Sequence, residues 1–262
     1  MMTDKMISQK DQGIGWMIFN NPARHNAVSL EMWEAMSSIL TDFMADESVR
    51  VIVLKGAGDK AFVSGADISQ FEEKRASLEA VRHYNATTDQ ATQHLQSAGK
   101  PTIAMINGYC IGGGVSIAMS CDLRIAAENA RFGVPAAKLG LGYEYKGVKK
   151  LVDVVGPAFA KEIFFTARQF TAQEALAMSW INRVVPTDQL ESYVREYAGT
   201  IAGNAPLTIG AIKTIVGEVL KDESKRDMEL CRRAVETCFA SEDYVEGRTA
   251  FMEKRKPAFK GR

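Results

Sequence analysis

Metal-binding spacings are absent from this chain. Its four cysteines, Cys110, Cys121, Cys231 and Cys238, form no CxxC pair, and its three histidines, His25, His83 and His94, form no HxxxH pair. That excludes the usual zinc arrangements, and no metal site is expected. Net charge is also lacking: 32 basic residues balance 32 acidic ones, so no field draws the chain to nucleic acid or to an anionic membrane. There is no low-complexity linker and no repeat that would build a solenoid. The opening "MMTDKMISQKDQGIG" is polar without an apolar centre, so no secretory signal is expected, and a cytoplasmic location with reduced thiols follows.

What is present suits a soluble globular protein of one or two domains. The 262 residues are 46% hydrophobic and 24% charged, enough to bury a full-sized core. Pro101 to Cys121 carries no charge over 21 residues, a length that would span a bilayer. Its Asn107-Gly108 pair and the Gly112 to Gly114 run would leave unpaired backbone in lipid. The segment therefore reads as a buried strand, a loop and a buried helix start.

"GWMIFN" (15–20), "VRVIVLKG" (49–56), "PTIAMIN" (101–107) and "DLRIAAE" (122–128) are β-branched or apolar runs closed by turn residues, hence strands. Between the first two, Trp33, Met36, Leu40 and Phe43 recur at helical steps behind Ser29, a candidate N-cap. Strand and helix alternate, which implies an α/β fold with crossover connections. From about Leu190 the pattern is amphipathic helix without strand. Such an appendage must dock on the body or on another subunit.

Three glycines directly before an apolar helix, in "YCIGGGVSIAMSCD" (109–122), let the backbone approach a ligand, and the helix start offers free N–H groups to negative charge. "GDKAFVSGADI" (58–68) is a second candidate, where Ala66 can turn its own N–H outward after Gly65. Each run alone is compatible with tight packing or a turn. Two N–H groups from separate loops meeting at one oxygen would instead form an oxyanion hole, where each donor contributes about 2.7–4 kcal/mol to a transition state.

Four stretches, "NPARHNAV" (21–28), "GDKAFVSGADI", "INGYCIGGGVSIAMSCDLRIA" (106–126) and "AFMEKRKPAFKGR" (250–262), resemble the crotonase (enoyl-CoA hydratase/isomerase) superfamily in order and spacing, along nearly the whole chain. The resemblance implies a ββα spiral core over residues 1–190 and a helical region over 191–262 that makes trimers, often paired into hexamers. It implies an acyl-CoA thioester substrate, with coenzyme A as part of that substrate and no resident cofactor. The two amides that stabilise a thioester enolate in that family fall on Ala66 and Gly113. Arg24, His25 and Ser64 to Ile68, including Asp67, would line the CoA moiety. Gly112, Ser116 and Ala136 would line the acyl site. Phe259 and Lys260 would reach a neighbouring subunit's ligand.

The pattern departs where hydration is done. The two glutamates of the hydratases fall on Ser116 and on Ala136 of "FGVPA" (132–136), and neither residue can act as a carboxylate. Glu144, eight residues after Ala136, falls where dienoyl-CoA isomerases of the family carry a proton-shuttling aspartate. A glutamate enclosed beside an acyl chain gains basicity, so isomerase-type proton transfer is the expected reaction. "PAAKLGLGYEYKG" (135–147) is also similar to the methylmalonyl-CoA decarboxylase loop, in which a tyrosine falling on Tyr143 holds the departing carboxylate. That enzyme's histidine falls on Ala66.

Several alternatives stay open from the residues. Glu144 reads equally as a solvated carboxylate balanced by Lys146, Lys149 or Lys150, and Tyr143 and Tyr145 as caps on the acyl pocket. Asp67 and Asp122 suit capping or loop N–H groups better than catalysis. His25 reads as a wall, and His83 and His94 as ordinary helical residues. "GVSIA" (114–118) falls one glycine short of a nucleophile elbow, and no histidine follows His94, which argues against a serine hydrolase. A non-catalytic acyl-CoA-binding protein is the remaining rival.

Overall fold

The computed structural model describes residues 3–67 and 78–262. Two sheets carry the fold. The larger has six strands, in the order β1 (Met6–Asp11), β2 (Ile14–Phe19), β3 (Val51–Gly56), β5 (Thr102–Ile106), β7 (Leu123–Ala127) and β10 (Arg183–Val185). β1 is antiparallel to β2 and every other neighbour is parallel. The smaller sheet joins β4 (Ala61–Val63), β6 (Tyr109–Ile111), β8 (Arg131–Gly133) and β9 (Phe170–Thr171).

Parallel neighbours need a crossover, and here it is itself ββα. The chain leaves the large sheet, adds a short strand to the small one, then turns through a helix before returning. β3 and β4 precede α2 (Leu78–Gln96), β5 and β6 precede α3 (Gly113–Ser120), and β7 and β8 precede the short α4 (Ala136–Leu139). The expected spiral is thus present, with strand ends within two residues of the expected runs.

The charge-free segment is the middle turn of this spiral, buried through β5 and most of α3. Among the described residues no helix is long and apolar enough to cross a membrane.

The apolar runs lack alternating polarity because both faces of the large sheet are buried. Met17, Phe19, Ile52, Leu54, Ala104 and Ile106 face one core, together with Trp33, Met36, Leu40 and Phe43 of α1 (Leu30–Ala45). Trp16, Val51, Val53, Ile103 and Ile125 face the other, covered by Leu190, Val194 and Ala198 of α7 (Leu190–Ala202). The division expected at residue 190 therefore falls at a helix that completes the sheet's outer layer. In the following α8 (Pro206–Val219), α9 (Met228–Phe239) and α10 (Glu242–Glu253), large apolar side chains such as Ile212, Phe239 and Phe251 remain exposed.

Local chemistry fixes the ends that matter. Ser29 does occupy the N-cap of α1, but its hydroxyl donates to the Glu31 carboxylate at 3.3 Å and bonds no helix amide. At the C-terminal end of α3, the buried Arg124 donates from Nη1 to the Cys121 carbonyl at 2.9 Å and from Nε to that of Trp180 at 2.8 Å. Asp122 accepts from the Thr102 amide at 2.7 Å and from Lys213 at 2.7 Å, the loop role expected for it. Beyond α4, α5 (Tyr145–Thr166) breaks in its middle, where Gly156 takes φ +76° before Pro157. The short α6 (Ala172–Ala177) follows β9.

A Cβ at Gly114 would stand 2.2 Å from the Val63 carbonyl oxygen, with Val63 carbon atoms at 3.0 Å. Gly114→Ala is therefore expected to lower the melting temperature by about 2–10 °C. Gly199→Ala, on the exposed side of α7 with open space around the new methyl, should leave it unchanged or raise it. Scanning calorimetry of both variants checks this, and equal melting of G114A and wild type would contradict the close approach.

Candidate active site

β4 and β6 end side by side in the small sheet, and the loops that leave them form one wall of a cavity of about 410 Å³. On the first loop, the Val28 amide donates to the Gly65 carbonyl at 2.9 Å and the Asp67 amide to that of Val28 at 3.0 Å. This bridge passes over Ala66, whose own N–H takes no part. On the second, Gly112 adopts φ +52° and donates to the Gly133 carbonyl at 2.9 Å. Gly113 then opens α3, so its N–H is one of the helix's unpaired donors.

Among the described residues, neither the Ala66 nor the Gly113 amide has a hydrogen-bond partner. The two are close. A Cβ at position 113 would lie 3.6 Å from the Ala66 nitrogen and 3.5 Å from the Gly65 carbonyl carbon. A side chain there would occupy the space both amides border. Left open, that space accepts an oxygen carrying negative charge, favoured further by the positive end of α3.

Ser116 and Ala136 both line this cavity, as do Gly112 and Tyr143. Ser116 and Ala136 bring no carboxylate to it. Among the described residues, the carboxylates that line it are Glu144 and Asp89. Glu144 occupies the N-cap position of α5 without capping the helix. Its Oε1 accepts from the Asn85 amide at 3.2 Å.

The three lysines considered as its counter-charges are engaged elsewhere. Lys146 pairs with Asp89 at 3.5 Å, Lys149 with Asp153 at 2.6 Å, and Lys150 donates to the Ser120 hydroxyl at 3.0 Å. The solvated, lysine-balanced reading is therefore corrected in its partners, although Glu144 does remain exposed at the cavity mouth.

Tyr143 stands edge-on to Phe164, with ring centroids 5.0 Å apart. Burial pushes its phenol up from the ordinary value, though the residue keeps 41% of its surface open. The hydroxyl thus stays a donor at neutral pH. Tyr145, grouped with it on sequence, is 77% exposed and does not line the cavity.

The residues expected beside CoA gather next to the Ala66 loop. Arg24 ends a one-turn 3-10 helix (Pro22–Arg24) and pairs with the buried Asp67 at 3.4 Å. Ser64 donates from its hydroxyl to the Arg24 carbonyl at 3.3 Å and from its amide to that of His25 at 3.1 Å. The His25 ring lies 6.1 Å from that of Tyr109. Ile68 lies outside the described residues. Phe259 and Lys260 are placed apart: Phe259 lines a larger cavity of about 1090 Å³ among α8, α9 and α10, and the Lys260 amide donates to Asp243 at 2.7 Å.

Sequence reading named none of the residues that α2 brings to the cavity. Tyr84, Asn85, Thr88 and Asp89 all line the cavity, and the buried Trp33 donates to the Tyr84 hydroxyl at 3.3 Å. The available signal was the spacing of Asn85, Thr88 and Asp89, which puts three polar side chains on one helical face.

Among the described residues no group of three or more metal-ligating side chains is found. The four cysteines are free, with Cys110 and Cys121 buried. Burial pushes both thiols up, that of Cys121 to about 12, so neither supplies a thiolate nucleophile. In the native protein at pH 8, a thiol reagent should therefore titrate no more than two of the four. Rapid labelling of all four before unfolding would contradict this.

Comparison with known proteins places the same features in a wider set. Residues 9–262 match the enoyl-CoA hydratase/isomerase family. The chain is similar to the crotonyl-CoA hydratase of Syntrophomonas wolfei, with 34% identity over 99% of both chains. It is similar to the short-chain-enoyl-CoA hydratase of Clostridium acetobutylicum, with 35% identity over 100% of both. An enoyl-CoA hydratase/carnithine racemase structure from Magnetospirillum magneticum superposes with a TM-score of 0.93 at 34% identity, covering 100% of this chain and 97% of that one. With a match across nearly its whole length and the spiral that the motifs implied, this chain belongs to the enoyl-CoA hydratase/isomerase family.

Proposed function

We propose that the protein moves a proton within an unsaturated acyl-CoA, shifting its double bond, with Glu144 as the acid and base. The observation that carries this reading is the exchange of carboxylates in the cavity. Ser116 and Ala136 stand at the two positions where the resemblance puts hydratase glutamates, and Glu144 faces the same space from the start of α5.

A thioester oxygen placed between Ala66 and Gly113 withdraws electrons from the α-carbon. The Glu144 carboxylate takes a proton from that carbon, and the electron pair passes through the carbonyl onto the oxygen, where the two amides hold the charge. The same carboxyl returns the proton at the γ-carbon, the double bond moves into conjugation, and the amides release a neutral thioester. No group outside substrate and protein is consumed.

Coenzyme A enters as part of the substrate and not as a resident cofactor. Arg24, His25, Ser64, Asp67 and Ile68 hold it beside the Ala66 loop. A homotrimer, alone or paired, covers the apolar faces of α8 to α10 and carries Phe259 and Lys260 toward a neighbour's ligand. Tyr143, a neutral donor at the cavity wall, orients the acyl group. The hydratase names of the relatives favour a second reading, in which Glu144 activates water that adds to the 2-enoyl thioester.

Incubation with 2-enoyl, 3-enoyl, dienoyl and malonyl-type thioesters in heavy water, followed by mass spectrometry, separates these. The expected product is a conjugated 2-enoyl thioester with deuterium at its α- or γ-carbon. A 3-hydroxyacyl product supports hydration, loss of carbon dioxide supports decarboxylation, and binding without turnover supports a non-catalytic role. Glu144→Gln should slow the proton transfer about 10²–10⁴-fold, and undiminished exchange would remove Glu144 from the step. Ala66→Pro removes an N–H that has no partner among the described residues, so kcat should fall about 10²–10³-fold in a folded protein.

A further inference from the structure

A carboxylate that must both take and return a proton has to be held in place without a cation that would quench its basicity. The cavity meets both conditions through α2. Asn85 and Asp89 lie one turn apart on the cavity-facing side of that helix, opposite Glu144 and Lys146 at the start of α5. The Asn85 amide donates to Glu144 at 3.2 Å, and Asp89 pairs with Lys146 at 3.5 Å. The ammonium nearest to Glu144 in sequence is thereby turned to Asp89, while Glu144 receives a neutral donor.

Resting on the reading of Glu144 as the proton-transferring group, we infer that Asn85 is its positioning residue, fixing the carboxylate over the cavity by a hydrogen bond that adds no charge. Among the described residues, the charged or titratable groups that share the cavity with Glu144 are Tyr84 and Asp89 from α2, and Tyr143 and Lys146 from its own segment. α3 contributes Ser116 and no ionisable residue, and α4 contributes Ala136 and Leu139. Lys150 lies deeper, on Ser120. Among the described residues, Asn85 is accordingly the side chain that donates a hydrogen bond to Glu144.

Asn85 is partly exposed, so substitutions there should fold. In Asn85→Ala, kcat should fall about tenfold with KM within twofold of wild type, since a hydrogen bond to a charged group is lost without loss of a substrate contact. In Asn85→Asp, a second carboxylate beside Glu144 should move the acidic limb of the pH–rate profile up by about one unit or more. Asp89→Asn, which frees Lys146, should move the same limb down. Wild-type kcat and an unmoved limb in both Asn85 variants would overturn the inference. So would a rise in KM alone, which would make Asn85 a substrate contact. If Glu144→Gln retains full exchange, the reading beneath has failed instead, so the two failures are told apart by that variant.

Discussion

The carbonyl oxygen of Val63 lies where a side chain at position 114 would have to go, and that contact sets the spacing of the two loops that matter. β4 delivers one and β6 the other, and their parallel pairing is short, so pairing alone leaves room for drift. The missing Cβ lets α3 settle directly on the β4 backbone. Only then do the Ala66 and Gly113 amides border the same small space. Arg124 secures the opposite end of α3 by bonding the Cys121 carbonyl, so the helix is fixed at both ends and its first amide cannot swing away. Those donors are oriented before any ligand arrives, which is the condition under which electrostatic stabilisation is strongest.

Charge around this space is arranged by where cations are kept from going. Lys146, Lys149 and Lys150 follow Glu144 closely in sequence, yet each is drawn to another oxygen. Exposed ion pairs such as Lys146 with Asp89 contribute about 0–1 kcal/mol to stability, so their significance here lies in direction more than strength. The result is a carboxylate in contact with a neutral amide, in the same cavity as two N–H groups without partners among the described residues and beside a phenol whose acidity burial lowers.

Elements whose constraint is local were legible in the residues. "VRVIVLKG" and "PTIAMIN" read as strands, and the Trp33 to Phe43 stripe as the face of a helix that covers a sheet. The glycine run was legible as a place of close backbone approach, by packing or by a ligand, because three residues without side chains before a helix are otherwise costly. The part played by α2 was not legible. Asn85, Thr88 and Asp89 form a polar helical face, and such a face ordinarily meets water. Only the fold brings the start of α5 opposite it. Ser29 shows the same limit on a smaller scale, since the N-cap position was evident while its hydroxyl prefers Glu31.

The break in α5 divides what would otherwise be one rigid rod. Gly156 takes a non-helical conformation immediately before Pro157, so the helical ladder is interrupted there and each half is seated in the core by its own side chains, Leu151 and Val155 in front, Ala160 and Ile163 behind. The direction of each half is therefore set by its own packing and not by one continuous run of helical hydrogen bonds. Glu144, at the head of the front half, thus sits on a segment whose course is fixed separately from the loops that carry the Ala66 and Gly113 amides.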